Sequence, residues 1–222
     1  ELQNLEMRAA NQLGADTLMK RAGAAAAELI MKRLEDAGVE QRRVTLLVGP
    51  GNNGGDALAC ACELREKGAV VNVVLPGGRR PTSALALAQL ERWTQAGGTT
   101  YDDPYMTEKA DCVVDGLFGT GLAKPITGDY LDAVLWFNER QALKVSLDIP
   151  SGLNPVTGHW TGSYPGCSAD VTITFLCVKS GLYMCEGADA AGEIVLNELD
   201  VSVPLSPLSV IGTDEFPRVL RP

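Results

Sequence analysis

A single histidine, His159, occurs among 222 residues, and none of the six cysteines pairs as C-x-x-C. These shortages argue against a zinc site of ordinary ligand spacing. They also leave no Ser-His-Asp or Cys-His arrangement for nucleophilic catalysis, because the one imidazole sits in a glycine-flanked loop. Basic residues are outnumbered, 19 against 28 acidic, for a formal net charge of −9. That balance argues against nucleic-acid or anionic-membrane partners. No apolar run approaches the roughly 18 residues of a transmembrane helix, and no secretory signal opens the chain. What is present is 45% hydrophobic, ordinary for a globular domain and too apolar for disorder. Most of the cysteines (Cys60, Cys62, Cys112, Cys167, Cys177, Cys185) lie in apolar stretches, where a reduced buried thiol is expected. A reducing cytoplasm is the expected location. The chain opens on Glu1 rather than Met, as expected of a fragment or a trimmed chain.

Apolar residues at helical spacing predict a helix over 15–37, preceded by a shorter one near 2–12. VTLLV at 44–48 is a β-branched run without polar alternation, which suits a strand covered on both faces. It enters GPGNNGGD at 49–56, after which ALACACELREKG reads as a helix stopped at Gly68. The alternation then repeats. AVVNVVL is a strand, TSALALAQLERWTQAGG a helix, DCVVDGLFG a strand and LDAVLWFNER a helix. KVSLDIPSG, ADVTITFLCV and GEIVLNEL supply three more strands. The expectation is one α/β domain over 1–200, a three-layer α/β/α sandwich of Rossmann-like type with a mainly parallel sheet. Residues 201–222 carry four prolines and no clear period, and read as a linker or tail.

Ligands of open parallel sheets bind outside the carboxyl ends of the strands. Three polar clusters fall at that edge: Asn52-Asn53-Gly54-Gly55-Asp56 after the first strand, the run from Asp115 to Leu122, and Asp148-Ile149-Pro150-Ser151-Gly152. Each also reads as a plain turn: the glycines of G-x-G-x-x-G make tight bends, and Asp56 favours a helix N-terminus. Two adjacent asparagines nevertheless offer carbonyl and amide groups that a turn does not need. An Asn carbonyl, an Asp carboxylate and a Ser hydroxyl together suit a monovalent or a divalent ion, and the residues alone do not choose. Backbone amides of the glycine-rich loop would accept phosphate. Lys179 reads equally as a phosphate contact or a solvated strand-end lysine, and His159 as a surface-loop residue.

Five segments resemble the NAD(P)H-hydrate epimerase family, also called the YjeF N-terminal domain. They are LMKRAGAAAAELI (18–30), VGPGNNGGDALACA (48–61), VVDGLFGTGL (113–122), SLDIPSGLNPVTG (146–158) and ADVTITFLCVKSGL (169–182). The resemblance covers about residues 1–200. It implies interconversion of the R and S forms of hydrated NADH or NADPH, in repair of damaged cofactor. A partner dehydratase using ATP or ADP then acts on the S form. EFPRVLRP resembles the junction before such a domain, so the chain is expected to be the epimerase half of a multifunctional enzyme. By the same resemblance Asn52, Asn53, Gly54, Gly55 and Asp56 contact the dinucleotide, and Gly119, Thr120, Gly121, Leu122, Ala123, Lys124 and Pro125 wrap its diphosphate. Asp148 faces the modified nicotinamide as catalytic residue, while Asn53, Asp115 and Ser151 hold one potassium ion per subunit. A homodimer or higher homo-oligomer is implied too, with the alanine-rich helix as a candidate interface. Ala57 departs from the glycine usual after NNGGD.

The expected chemistry is elimination and re-addition at C6 of the ring, with a protonated Asp148 as general acid and then base. Burial against apolar surface would keep it protonated, whereas Asp115 would stay ionised on the cation. Two alternatives remain on the residues alone. One is an NADP-dependent oxidoreductase, in which Arg79 and Arg80 take a 2′-phosphate. The other is a non-catalytic nucleotide-binding sensor or scaffold.

Overall fold

The computed structural model describes residues 2–107 and 109–201; of the expected tail at 201–222, Val201 is buried in the core and the rest lies outside them. Seven strands form one sheet in the order β3-β2-β1-β4-β5-β6-β7, every neighbouring pair parallel. They are β1 (Arg43–Val48), β2 (Val70–Val74), β3 (Thr100–Tyr101), β4 (Cys112–Gly116), β5 (Leu143–Leu147), β6 (Val171–Phe175) and β7 (Glu193–Asn197). The helices are α1 (Leu2–Leu13), α2 (Ala15–Asp36), α3 (Asn52–Glu66), α4 (Ala84–Gln95), α5 (Asp129–Asn138) and the short α6 (Gly187–Ala190). The expected parallel three-layer architecture is therefore present, with the two-residue edge strand β3 as an addition.

The near-continuous apolar strands have apolar cover on both faces. Val44, Leu46, Val48, Val73, Cys112, Val114 and Val145 pack with α2, α3 and α4 in one core. Leu47, Val74 and Val113 pack on the other face against Ala133, Val134, Trp136 and Phe137 of α5. Adjacent residues of one strand thus enter opposite layers, as the two-residue period of a pleated strand requires. The sheet reverses its direction of growth between β1 and β4, so their carboxyl ends border the crevice that such a switch creates.

The small-residue face of α2 is spent inside the domain. Ala22, Gly23, Ala26 and Ala27 are buried, and a Cβ on Gly23 would come within 2.5 Å of Ala59 Cβ on α3. Association through that face, expected from the alanine-rich sequence, would compete with the α2–α3 contact.

Candidate functional site

The segment after β1 is helix rather than loop. The α3 helix begins at Asn52, with Gly51 as its N-cap and no side chain capping it. The sequence places this start later because Gly54 and Gly55 are poor helix formers, but close packing overrides propensity. A Cβ on Gly54 would stand 2.1 Å from the Gly49 carbonyl oxygen, and one on Gly49 would stand 1.6 Å from that of Leu117. Only a side-chain-free backbone lets the β1–α3 turn touch itself and the β4 loop. Asp56 falls in the second turn of α3, past the range where a helix terminus attracts a carboxylate strongly.

Asn52, Asn53 and Asp56 line one cavity of about 730 Å³ together with the loop from Gly119 to Lys124 and Asp148. Apolar residues of the first two helices, among them Ala10, Leu18 and Met19, close its other side. Three of the expected dinucleotide contacts lie elsewhere. Gly54 packs on Gly49, Gly55 on Met19 and Ala86, and Pro125 borders a separate cavity of about 190 Å³. Arg79 pairs with Asp129 at 3.0 Å, and neither it nor Arg80 lines the larger cavity. Ala57 is fully buried and faces Gly116, where a Cβ would meet its methyl at 2.4 Å. Alanine in place of the usual glycine therefore leaves the cavity untouched.

Asp115, at the end of β4, is fully buried. Its Oδ2 accepts from Ser146 Oγ (2.9 Å) and the Ser151 amide (2.8 Å). Its Oδ1 accepts from Ser151 Oγ (2.6 Å) and the Leu117 amide (3.1 Å). All four donors are neutral, and burial pushes the carboxyl up against their opposing pull. Asn53 is 7% exposed, and both its Oδ1 and Nδ2 are buried without a hydrogen-bond partner among the described residues. Ser151 is buried too; its Oγ also accepts from the Phe118 amide at 2.8 Å. A buried carboxylate with neutral neighbours and an orphaned amide oxygen are the chemistry a hard cation needs. In donor type these residues suit a hard cation, with Asn53 Oδ1 the oxygen left to be ligated.

Asp148 is paired with a buried lysine rather than enclosed by the expected apolar surface. The Lys179 ammonium sits 2.5 Å from its Oδ1, 2% exposed. Lys179 also donates to Thr174 Oγ1 (3.0 Å) and the Phe175 carbonyl (2.8 Å). It is thus neither a solvated lysine nor a phosphate contact. The pairing escapes sequence reasoning because the partners lie 31 residues apart; the only hint was two polar groups at neighbouring strand ends. Asp148 also takes a left-handed backbone (φ 66°), uncommon outside glycine and concentrated at functional sites. His159 is a loop residue as expected, exposed and paired with Glu186 at 2.7 Å.

A sequence profile described as YjeF-related protein N-terminus matches residues 15–181. The chain belongs to this family. An NAD(P)H-hydrate epimerase of Cenarchaeum symbiosum is 36% identical over 83% of this chain and 84% of its own length. One from Bordetella pertussis is 38% identical, over 83% of this chain and 80% of its own. A bifunctional NAD(P)H-hydrate repair enzyme of Leishmania infantum is 35% identical over 84% of this chain. The chain spans only about a third of the length of the Leishmania relatives it matches. The crystal structure of yeast ynu0 superposes with a TM-score of 0.67 at 22% identity, covering 89% of this chain and 87% of its own. It shares the fold.

Proposed function

We propose that this chain is an NAD(P)H-hydrate epimerase, an isomerase that interconverts the R and S forms of hydrated NADH or NADPH in cofactor repair. One observation carries the reading: three separated motifs, at the ends of β1, β4 and β5, line a single cavity at the reversal point of the sheet. Its 730 Å³ suits a ligand of nucleotide size. The relatives' names add the substrate class.

The residues divide the work by chemistry. The uncapped start of α3 presents backbone amides and a positive helix end toward phosphate. The loop from Gly119 to Lys124 lies across the same cavity. In the hydrate, the ring nitrogen lone pair expels the C6 hydroxyl. That oxygen leaves as water on taking a proton, and an iminium ion remains. Water then adds to either face and returns the proton. We assign to Asp148, which lines the cavity, the exchange of that proton with the C6 oxygen in both directions. Potassium is the ion we assign to Asn53 Oδ1, Asp115 and Ser151, where it would supply positive charge beside the bound dinucleotide. The six free thiols support a reducing compartment such as the cytoplasm. The bifunctional relatives support a dehydratase, fused or separate, as functional partner. A homodimer would need a surface other than the small-residue face of α2.

The test is direct. Purified R-hydrate of NADH is incubated with the protein and followed by chromatography, in potassium and in lithium. Conversion to the S form well above the spontaneous rate is expected, and faster in potassium. No acceleration by folded protein that still binds ADP-ribose would favour the sensor or scaffold alternative.

A further inference from the structure

Lys179 has no free N–H. Its three donors are taken by Asp148 Oδ1, Thr174 Oγ1 and the Phe175 carbonyl, which accounts for every hydrogen an ammonium carries. It therefore has none to offer a ligand. Burying a lysine costs heavily unless it is paired and hydrogen-bonded, and this one is buried. The chain makes a local detour to bury it: after β6, Leu176 turns left-handed (φ 64°), the Cys177 amide returns to the Phe175 carbonyl at 2.7 Å, and Lys179 comes back over the strand end.

The other end of the contact is equally constrained. The Asp148 amide donates to the Ile173 carbonyl at 2.7 Å, tying the end of β5 to β6. With Oδ1 held by the ammonium, Oδ2 is the oxygen turned toward Gly119, where a Cβ would stand 3.3 Å from it. Gly119 and Asp148 both line the cavity. The carboxylate has one anchored oxygen and one that faces the ligand space.

We propose that Lys179 is a positioning residue for Asp148, fixing Oδ1 so that Oδ2 alone exchanges the proton with the C6 oxygen of the hydrate. This rests on the epimerase reading. Lys179 contributes through Asp148 and not through ligand affinity, since all its hydrogens point at the protein. Misplacing a reacting group by about 1 Å costs on the order of 100-fold in rate.

The experiment measures R-to-S conversion of NADH hydrate by wild type, Lys179→Met, Lys179→Arg, Asp148→Asn and the Lys179→Met/Asp148→Asn double variant. Lys179→Met is expected to lower kcat about 100-fold with KM within about threefold. Lys179→Arg should recover part of the loss, because it keeps a charged donor. In the Asp148→Asn background the second substitution should cost nothing more, the sign of two residues acting as one unit. Thr174→Val, which removes one acceptor for the ammonium, serves where Lys179→Met does not fold. It should lower kcat in wild type and leave Asp148→Asn unchanged. Losses that multiply, a loss confined to KM, or full activity of Lys179→Met would each overturn the inference while the epimerase stands. A wild type without activity removes both.

Discussion

Ser151 clamps both oxygens of a fully buried aspartate: its hydroxyl donates to Asp115 Oδ1 at 2.6 Å and its own amide to Oδ2 at 2.8 Å. The hydroxyl carries one hydrogen, and the Phe118 carbonyl at 3.1 Å is the weaker claimant. The same oxygen accepts the Phe118 amide, so Ser151 joins the ends of β4 and β5 and sets where the Gly119 loop begins. Ser151→Ala leaves the Phe118 amide without its acceptor and strips Asp115 of one donor. A loss of about 2 kcal/mol is expected, read as a shift in urea midpoint at constant slope. A shift below about 0.5 kcal/mol would show the clamp to be dispensable.

Asp115 gives the pH dependence a definite sign. Burial raises its carboxyl in the folded chain, so the folded state holds the proton more tightly than the unfolded one. The associated stability is present below the unfolded value of about 3.9 and is lost as pH rises through the folded value. A cation against the carboxylate opposes that loss by favouring the charged form. In choline chloride the urea midpoint should therefore fall as pH rises above about 4, and potassium should reduce the fall. Asp115→Asn should flatten the slope in both salts, whatever its absolute stability. Asp111, lowered chiefly by its hydrogen bonds with Arg43, loses stability as pH drops through its own folded value. Glu186 is lowered in the same sense, and burial raises the thiols of Cys60, Cys62, Cys112 and Cys167 and the Tyr130 phenol. Scans between about pH 5 and 7.5 therefore avoid the carboxylates below and the thiols and phenol above. Equal slopes for wild type and Asp115→Asn would contradict the assignment.

The glycines of the β1–α3 turn should separate sharply on substitution. Gly49→Ala drives a methyl into the Leu117 carbonyl, and Gly54→Ala drives one into that of Gly49. Both obstacles are backbone, so neither yields cheaply. Among the described residues nothing lies within 4 Å of a Cβ on Gly51, whose φ of −99° suits any residue. Gly49→Ala and Gly54→Ala should cost more than about 3 kcal/mol or abolish folding, while Gly51→Ala should stay within about 1 kcal/mol. Thermal unfolding of the three variants decides it, and comparable losses at all three positions would mean that the turn relaxes.

The sheet was legible because runs such as VTLLV and CVV bury both faces, and no helix period competes with them. The carboxyl-edge clusters were legible for the same reason, since strand ends locate them before any contact is known. Two features were not. The start of α3 is set by contacts from Gly54 to Gly49 and from Gly49 to Leu117, which outweigh two helix-poor glycines and have no local signature. Lys179 looks like any strand-end lysine until β5 and β6 are side by side. Its burial then depends on Asp148, a partner at the neighbouring strand end that no local pattern shows. The burial that raises the Asp115 carboxyl likewise has no local signature.

Asp148→Asn tests the chemistry without disturbing the shape. Asparagine matches aspartate in size, and its carbonyl still accepts from Lys179, so the left-handed turn and the cavity wall should survive. What it loses is the capacity to hold a proton and hand it back. General acid–base catalysis is worth about 100- to 10,000-fold, and epimer conversion should fall within that range. ADP-ribose, which lacks the reacting ring, should bind within about threefold of wild type, because the α3 start and the Gly119–Lys124 loop are unchanged. Turnover and affinity measured on the same preparation separate the outcomes. Turnover retained at the wild-type level would place the proton exchange on another group. Both properties lost together would mean that Asp148 holds the loop rather than the proton.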